Sequence, residues 1–181
     1  YVADSTSHTI RRITSAGVVT TLAGAPGVSG SVDGPGTTAR FNEPSGLTLG
    51  GDGHLYVADA LNHTIRKIVL TPSVTVSTLA GLPETPGDLD GQGLDAGFRT
   101  PRGLAADALG NLYVADTGNS AIRKVVLSGA KAGLVTTVAG DSMLDGNRDA
   151  TGLDAWFRQP FDVALDSVNT LYVADTGNSA I

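Results

Sequence analysis

The alternation of apolar and polar residues along the chain predicts short β-strands separated by tight turns. Residues 112–115 are apolar on both alternating faces, as expected of a strand that is covered on both sides. Asp116 then opens a turn in which Gly118 and Asn119 tolerate a positive φ. A run rich in β-branched residues follows from Ile122. The pattern therefore predicts a hairpin that consists of a strand, a short turn and a second strand.

This hairpin sequence recurs through the chain. Residues 113–122 are repeated letter for letter at 172–181, and related stretches begin at Tyr56 and Tyr1. Each full unit contains four short predicted strands, which is typical of the blades of a β-propeller. We therefore predict an all-β propeller segment that spans residues 1–181. Its predicted units are a partial blade at 1–24, complete four-stranded blades at 44–81 and 101–140, and a partial blade at 160–181.

The long segments between the units also repeat. A motif of the form D-G/A-x-G-x-x-A-x-F ends at Phe41, Phe98 and Phe157, and its first residues are Asp33, Asp90 and Asp149. We expect the second half of this motif to form a helical turn that positions the phenylalanine.

The segments that precede this motif differ between the copies, at 25–32, 82–89 and 141–148. Variable loops on a rigid scaffold are where binding specificity usually lies. Trp156, the only tryptophan, stands where the other copies have Arg40 and Gly97. It is a candidate anchor for a partner, and a local packing role fits it equally well. The candidate binding residues are Glu84, Asp88, Asp145, Arg148 and Trp156.

Four segments in a fixed order resemble the NHL repeat. They are P-x-G-L, N-L-Y-V-A-D-T, N-H-x-I-R-K and V-T-T-L-A-G. Residues 62–65 are the closest copy of the triplet that names this family, whereas residues 119–121 depart from it. The resemblance implies a β-propeller, usually of six blades around a central channel. We expect the chain to be a window of a longer protein, with the ring completed by further repeats of the same chain or by a second copy of it.

Composition narrows the possible functions. The net charge is −6, and the 12 basic residues are dispersed among the copies, which argues against a nucleic-acid surface. No segment is long and apolar enough to cross a bilayer, so we expect no membrane insertion. The absence of cysteine excludes disulfides and thiolate metal sites and leaves the compartment open. We favour a larger bacterial or extracellular chain, with an extracellular or cell-surface location.

Histidines and aspartates are the candidate metal ligands. His8 and His63 occupy equivalent positions on successive blades and are therefore rotated apart, and His54 lies in a predicted turn, so turn or packing roles are favoured over a shared zinc ion. The recurrent aspartates do not form a ladder of the kind that supplies the six to eight oxygens of a calcium site. We interpret four of them as turn caps that accept backbone hydrogen bonds: Asp4, Asp59, Asp116 and Asp175.

The remaining recurrent charges are Arg11, Arg66 and Arg123, which we expect to pair with the recurrent aspartates between blades. We assign no catalytic, cofactor-binding or metal-binding residue and expect no cofactor. The favoured function is a non-catalytic propeller scaffold that binds a protein partner or ligand, with self-association possible. The alternative is a metal-dependent lyase or a lactonase-like enzyme of the kind found among similar propellers, although the chain has no histidine cluster.

Overall fold

The computed structural model describes residues Tyr1–Ile181 as four antiparallel β-sheets, which we number as blades 1 to 4. Blade 1 contains β1 (Val2–Asp4), β2 (Thr9–Ile13) and β3 (Val19–Gly24). Blade 2 contains β4 (Gly34–Pro35), β5 (Pro44–Leu49), β6 (Leu55–Asp59), β7 (Thr64–Val69) and β8 (Thr75–Ala80). Blade 3 contains β9 (Gly91–Gln92), β10 (Pro101–Ala106), β11 (Asn111–Asp116), β12 (Ala121–Val126) and β13 (Leu134–Gly140). Blade 4 contains β14 (Pro160–Leu165) and β15 (Leu171–Asp175).

The fold is all-β, as predicted, and blades 2 and 3 are built as antiparallel meanders. The strand order is β5-β6-β7-β8-β4 in blade 2 and β10-β11-β12-β13-β9 in blade 3. The first strands of successive blades, β5, β10 and β14, pack beside one another. The structure adds one feature to the predicted four-stranded blade. The two-residue strands β4 and β9 come from the long connections and pair with the last strands, β8 and β13.

The helical residues all lie in single turns of 3-10 helix. Those in the connections include Gly93–Asp95 and Gly152–Asp154, which precede Phe98 and Phe157. This confirms the expected helical turn in the second and third copies of the connection motif, whereas residues 36–38 of the first copy form a turn without 3-10 helix. No helix in the structure has both the length and the apolar character needed to cross a membrane. The remaining 3-10 turns are Ala60–Asn62, Thr117–Asn119, Gly129–Lys131 and Thr176–Asn178.

The hydrophobic core lies between the blades, because alternate residues of each strand face opposite neighbours. Tyr56 and Ala58 of β6 belong to the cluster shared with blade 3, whereas Leu55 and Val57 belong to the cluster shared with blade 1. A smaller cluster that includes Val163 joins blades 3 and 4. Each blade therefore depends on its neighbours for burial, as in other repeat proteins.

Candidate functional site

The long connections and the turns between the second and third strands of each blade lie at the same end of the strands. This follows from the register, in which Ile65 of β7 pairs with Ala80 of β8, and Ala121 of β12 pairs with Gly140 of β13. We call this end of the molecule the connection face. It comprises residues 25–32, 39–43, 59–63, 82–89, 96–100, 116–120, 141–148 and 155–159, whereas β4 and β9 pair with the first residues of β8 and β13, away from this end.

A buried arginine ties each complete blade to the connection that precedes it. In blade 2 the Arg66 side chain is fully buried. Its Nη1 donates to Asp59 Oδ2 at 2.7 Å and to the carbonyl of Arg40 at 3.0 Å. Its Nη2 donates to Asp33 Oδ1 at 2.6 Å, and the guanidinium lies 5.1 Å from the centroid of the Phe41 ring.

Blade 3 repeats this arrangement around Arg123. The guanidinium donates to Asp116 and to Asp90, each at 2.9 Å, and lies 5.3 Å from the centroid of the Phe98 ring. Asp90 in turn accepts hydrogen bonds from both the backbone N–H and the hydroxyl of Thr137 in β13. One arginine thus joins the hairpin, the connection and, through Asp90, the last strand of the blade.

The predicted pairing of the recurrent arginines with recurrent aspartates is present, but it is not between blades. Asp33 immediately precedes β4, which adds to the sheet of blade 2, so the partners of Arg66 belong to one repeat unit. Asp90 precedes β9 of blade 3 in the same way. Arg11 pairs with Asp4 inside blade 1 at 3.3 Å, and both of these side chains are about one-third exposed.

The aspartates interpreted as turn caps bind elsewhere. The 3-10 turns after Asp59 and Asp116 have no side-chain cap hydrogen bond. Asp59 Oδ1 instead accepts the backbone N–H of Asn42 at 2.7 Å, and Asp116 Oδ1 accepts that of Arg99 at 2.8 Å. The physical reason is that one carboxylate oxygen is directed at the preceding connection, while the other accepts from the asparagine side chain of its own turn.

Of the other two predicted caps, Asp175 repeats the backbone and asparagine contacts of Asp59 and Asp116, whereas Asp4 does not. Asp175 accepts the backbone N–H of Arg158 at 2.8 Å and the Asn178 side chain at 2.6 Å. Asp4 accepts only from Arg11.

Burial opposes ionisation of the two fully buried aspartates that pair with the arginines, Asp59 and Asp116. Desolvation raises the pKa of Asp116 to about 6, although Arg123 and the N–H of Arg99 favour its charged form. The pKa of Asp59 is raised for the same reason. The pKa of Asp90, whose side chain is about half exposed, shifts in the opposite direction. Burial by itself would raise this pKa, but the hydrogen bonds from Thr137 and Arg123 together lower it.

Two of the candidate binding residues link successive connections. Glu84 Oε1 accepts from the Ser31 hydroxyl at 2.8 Å, and Asp88 Oδ2 accepts from the Ser142 hydroxyl at 2.6 Å. Each carboxylate therefore lies on the connection face with a partner in the neighbouring connection.

The other three candidates lie in the connection between blades 3 and 4. Asp145 is 3.5 Å from Arg158 Nε, and both of these side chains are more than half exposed. The Arg148 guanidinium lies 5.2 Å from the centroid of the Trp156 ring, and the two backbones form a β-bridge. Trp156 is half-buried in this local packing. The five candidates are therefore spread over the connection face and do not form a single cluster.

The histidines of the repeat join one blade to the next. His8 Nδ1 accepts the backbone N–H of Glu43, and His63 Nδ1 accepts that of Thr100, each at 3.1 Å. His63 has a left-handed backbone conformation, with φ of 58°. Desolvation and the nearby charge of Arg99 lower its pKa. No three histidine, aspartate or glutamate side chains converge in a metal-binding arrangement.

A polar cleft of about 530 Å³ opens on the connection face between blades 3 and 4. The sequence-based reasoning did not predict it. The available signal was departure from the repeat, because Ser120 stands where blades 1 and 2 have His8 and His63. The cleft is lined by Thr100, Arg102, Thr117, Gly118, Ser120, Ser142, Met143, Asp145, Gln159, Phe161 and Thr176.

The family model described as NHL repeat matches residues 41–68 and 98–125. The chain belongs to the NHL-repeat family. Each matched NHL repeat runs from the buried phenylalanine of the connection through the first three strands of the following blade, β5 to β7 or β10 to β12. The match therefore covers the hairpin and the phenylalanine, and it leaves out the last strand and the variable segments.

Known proteins resemble this NHL-repeat chain in sequence and in fold. It is 43% identical over 154 residues to NHL repeat-containing protein 2 of Bos taurus. The aligned segment is 79% of this chain and 21% of the bovine protein, so this chain spans only about a fifth of that relative's length. A Bacteroides thetaiotaomicron protein of unknown function has a crystal structure with TM-score 0.76 and 26% identity, covering 97% of this chain and 41% of that one. Virginiamycin B lyase from Staphylococcus aureus shares the fold alone, with TM-score 0.57 and 16% identity over 94% of this chain and 43% of that one.

Proposed function

We propose that the connection face is a non-catalytic protein-binding surface on a rigid NHL-repeat scaffold. The observation that carries this proposal is the placement of the segments that differ between repeats. Residues 25–32, 82–89 and 141–148 all belong to the connection face, next to the recurrent arginine–aspartate networks. A constant support that holds variable loops is the usual arrangement of a binding surface.

Contacts between the variable segments support a continuous surface. Ser31 bonds to Glu84, and Ser142 bonds to Asp88, so each segment is held against the next. Several apolar side chains of these segments are nevertheless exposed, and exposed apolar groups rimmed by polar residues are typical of protein-interaction sites. These exposed side chains are Val28, Val32, Leu82, Leu89, Met143 and Leu144.

A photo-crosslinking residue tests the proposal when it is placed at Leu89, which is 68% exposed on the connection face. The matched control is Leu109, which is 80% exposed in the β10–β11 turn at the opposite end of blade 3. Each variant is expressed in the organism that encodes the chain and irradiated. We expect a discrete protein adduct from position 89 and none from position 109. Absence of an adduct at 89, or equal yields at both positions, would overturn the proposal.

A further inference from the structure

The cleft between blades 3 and 4 exists where a repeated contact between blades is missing. At the two preceding junctions a histidine nitrogen accepts the backbone N–H of the residue directly before the first strand of the next blade. His8 accepts that of Glu43, and His63 accepts that of Thr100. At the third junction the equivalent residue is Ser120, and it makes no hydrogen bond to the equivalent N–H, that of Gln159. This N–H has no acceptor within the protein, and it borders the cleft.

Arg102 supplies the cleft with a cation that has no anionic partner. Its guanidinium lies 4.9 Å from the centroid of the Phe161 ring, and it forms no ion pair or hydrogen bond within the protein. The equivalent positions in the neighbouring blades are Ser45 and Phe161, so the arginine is particular to blade 3. A guanidinium stacked on an aromatic face keeps its N–H edge free, and this edge fits the two oxygens of a carboxylate or phosphate.

The remaining lining suits a ligand that carries hydroxyl groups. Thr100, Thr117, Ser120, Ser142 and Thr176 each bring a hydroxyl to the cleft. Those of Thr117, Ser142 and Thr176 already donate to protein acceptors, so toward a ligand they can only accept. The carboxylate of Asp145 lies beside Arg158, which partly neutralises it. The volume of about 530 Å³ falls within the range of about 300–1,000 Å³ that is usual for small-molecule sites.

We propose that this cleft binds a small hydroxylated organic anion, of the sugar-acid or sugar-phosphate class. Arg102 binds the oxyanion group, and the Gln159 N–H and the Ser120 hydroxyl bind other oxygens of the ligand. The site is separate from the protein-binding function proposed above and does not rest on it. A small ligand is measured with purified protein, whereas the crosslinking at position 89 reports a protein partner, so either proposal can fail alone.

Isothermal titration calorimetry of the purified protein with three ligands tests the site. The ligands are D-glucuronate, D-glucose 6-phosphate and D-glucose. We expect at least one of the two anions to bind at least tenfold more tightly than glucose. Binding of glucuronate alone identifies a carboxylate site, and binding of glucose 6-phosphate alone identifies a phosphate site. Binding of neither anion, or equal binding of glucose, would overturn the proposal.

Two variants test the cleft by replacing one of its residues with the residue found at the equivalent position of blade 2. Ser120→His reproduces His63 and places an imidazole in the cleft, so binding should be lost. Arg102→Ser reproduces Ser45 and should weaken binding at least tenfold. The charge-matched control Arg12→Ser, an exposed arginine in blade 1, should bind as the unmodified protein does. Circular dichroism melting verifies that each variant is folded. Unchanged binding in both cleft variants, or equal loss in the control, would contradict the site.

Discussion

At the scale of single residues, the buried charges of Arg66 and Arg123 are the main feature of the repeat. Each guanidinium is buried beside a fully buried carboxylate. The raised pKa of Asp116 shows that this pairing does not offset the whole cost of burying its charge. A buried pair of this kind contributes little to stability as a unit, but removing one partner leaves the other as an uncompensated charge.

Replacing Arg123 by methionine should therefore destabilise the fold strongly. The variant keeps most of the apolar volume but leaves Asp116 without its cation, so the free energy of unfolding should fall by about 3–5 kcal/mol. Urea unfolding followed by circular dichroism measures this change. Arg12→Met, at an exposed position, should stay within about 0.5 kcal/mol of the unmodified protein. A similarly small loss for Arg123→Met would contradict the structural role of the pair.

The pH dependence of stability should report on Asp107 in the β10–β11 turn. Burial by itself would raise its pKa, but hydrogen bonds from the Asn111 side chain and from the backbone N–H groups of Asn111, Leu109 and Gly110 together lower it. An aspartate with a lowered pKa in the folded state stabilises the fold above its unfolded pKa of about 3.9 and loses that contribution as the pH falls through the folded value.

The substitution Asp107→Asn isolates this contribution. Urea unfolding at a series of pH values between about 6 and 2 should show a smaller acid-induced loss of stability in the variant than in the unmodified protein. Identical slopes for the two proteins would refute the assignment.

At the scale of elements, the repeated unit depends on a close fit between a strand end and the connection phenylalanine. Phe98 is fully buried and packs against Gly81, which follows β8 with φ of 93°. A Cβ atom on Gly81 would lie 2.5 Å from the carbonyl oxygen of His63. This contact explains why the fourth strand ends in Ala-Gly, with glycine at the left-handed position.

Gly81→Ala should destabilise the protein by more than about 1 kcal/mol, because the side chain meets both an unfavourable φ and a backbone atom. The control is Gly51→Ala, where an added Cβ meets nothing within 4 Å and the φ is not positive. The control should be neutral or stabilising by up to about 1 kcal/mol. Thermal or urea unfolding compares the two variants, and equal effects would contradict the packing described for Gly81.

At the scale of the whole molecule, the two end blades expose apolar surface that the middle blades bury. Ile13 and Val19 of blade 1 and Tyr172 of blade 4 are exposed, whereas their equivalents in blade 2, Ile68, Val76 and Tyr56, are buried. In a repeat protein each unit needs a neighbour on both sides to bury its faces.

The isolated polypeptide Tyr1–Ile181 should accordingly associate or bind a hydrophobic dye. Sedimentation velocity and dye fluorescence measure these properties. Substituting Ile13 and Val19 by lysine should reduce dye binding, while Leu109→Lys, in a turn away from the end faces, should not. A compact monomer that binds no dye would contradict the expectation.

The strands, the hairpins and the family could be predicted from the sequence, whereas two of the predicted side-chain contacts were wrong. The aspartates were assigned to their own turns because a cap to a nearby N–H is the local solution, whereas Asp59 bonds to Asn42, 17 residues away. The arginines are expected to pair between blades because they recur with the aspartates, whereas β4, a strand of only two residues, brings Asp33 into the same blade as Arg66. Both errors concern partners that lie far along the chain.

The sequence by itself determined the all-β class, the hairpins and the repeat, since alternation and turn chemistry act between neighbouring residues and recur with the period. Only the tertiary structure decided which side chains meet across the connections. The cleft needs Ser120 and Arg102 from one blade and Gln159 and Phe161 from the next, and their approach depends on how the two blades pack. Ser120 in place of the histidine leaves an open cleft because the neighbouring blade stays at the distance that the imidazole bridges at the other junctions.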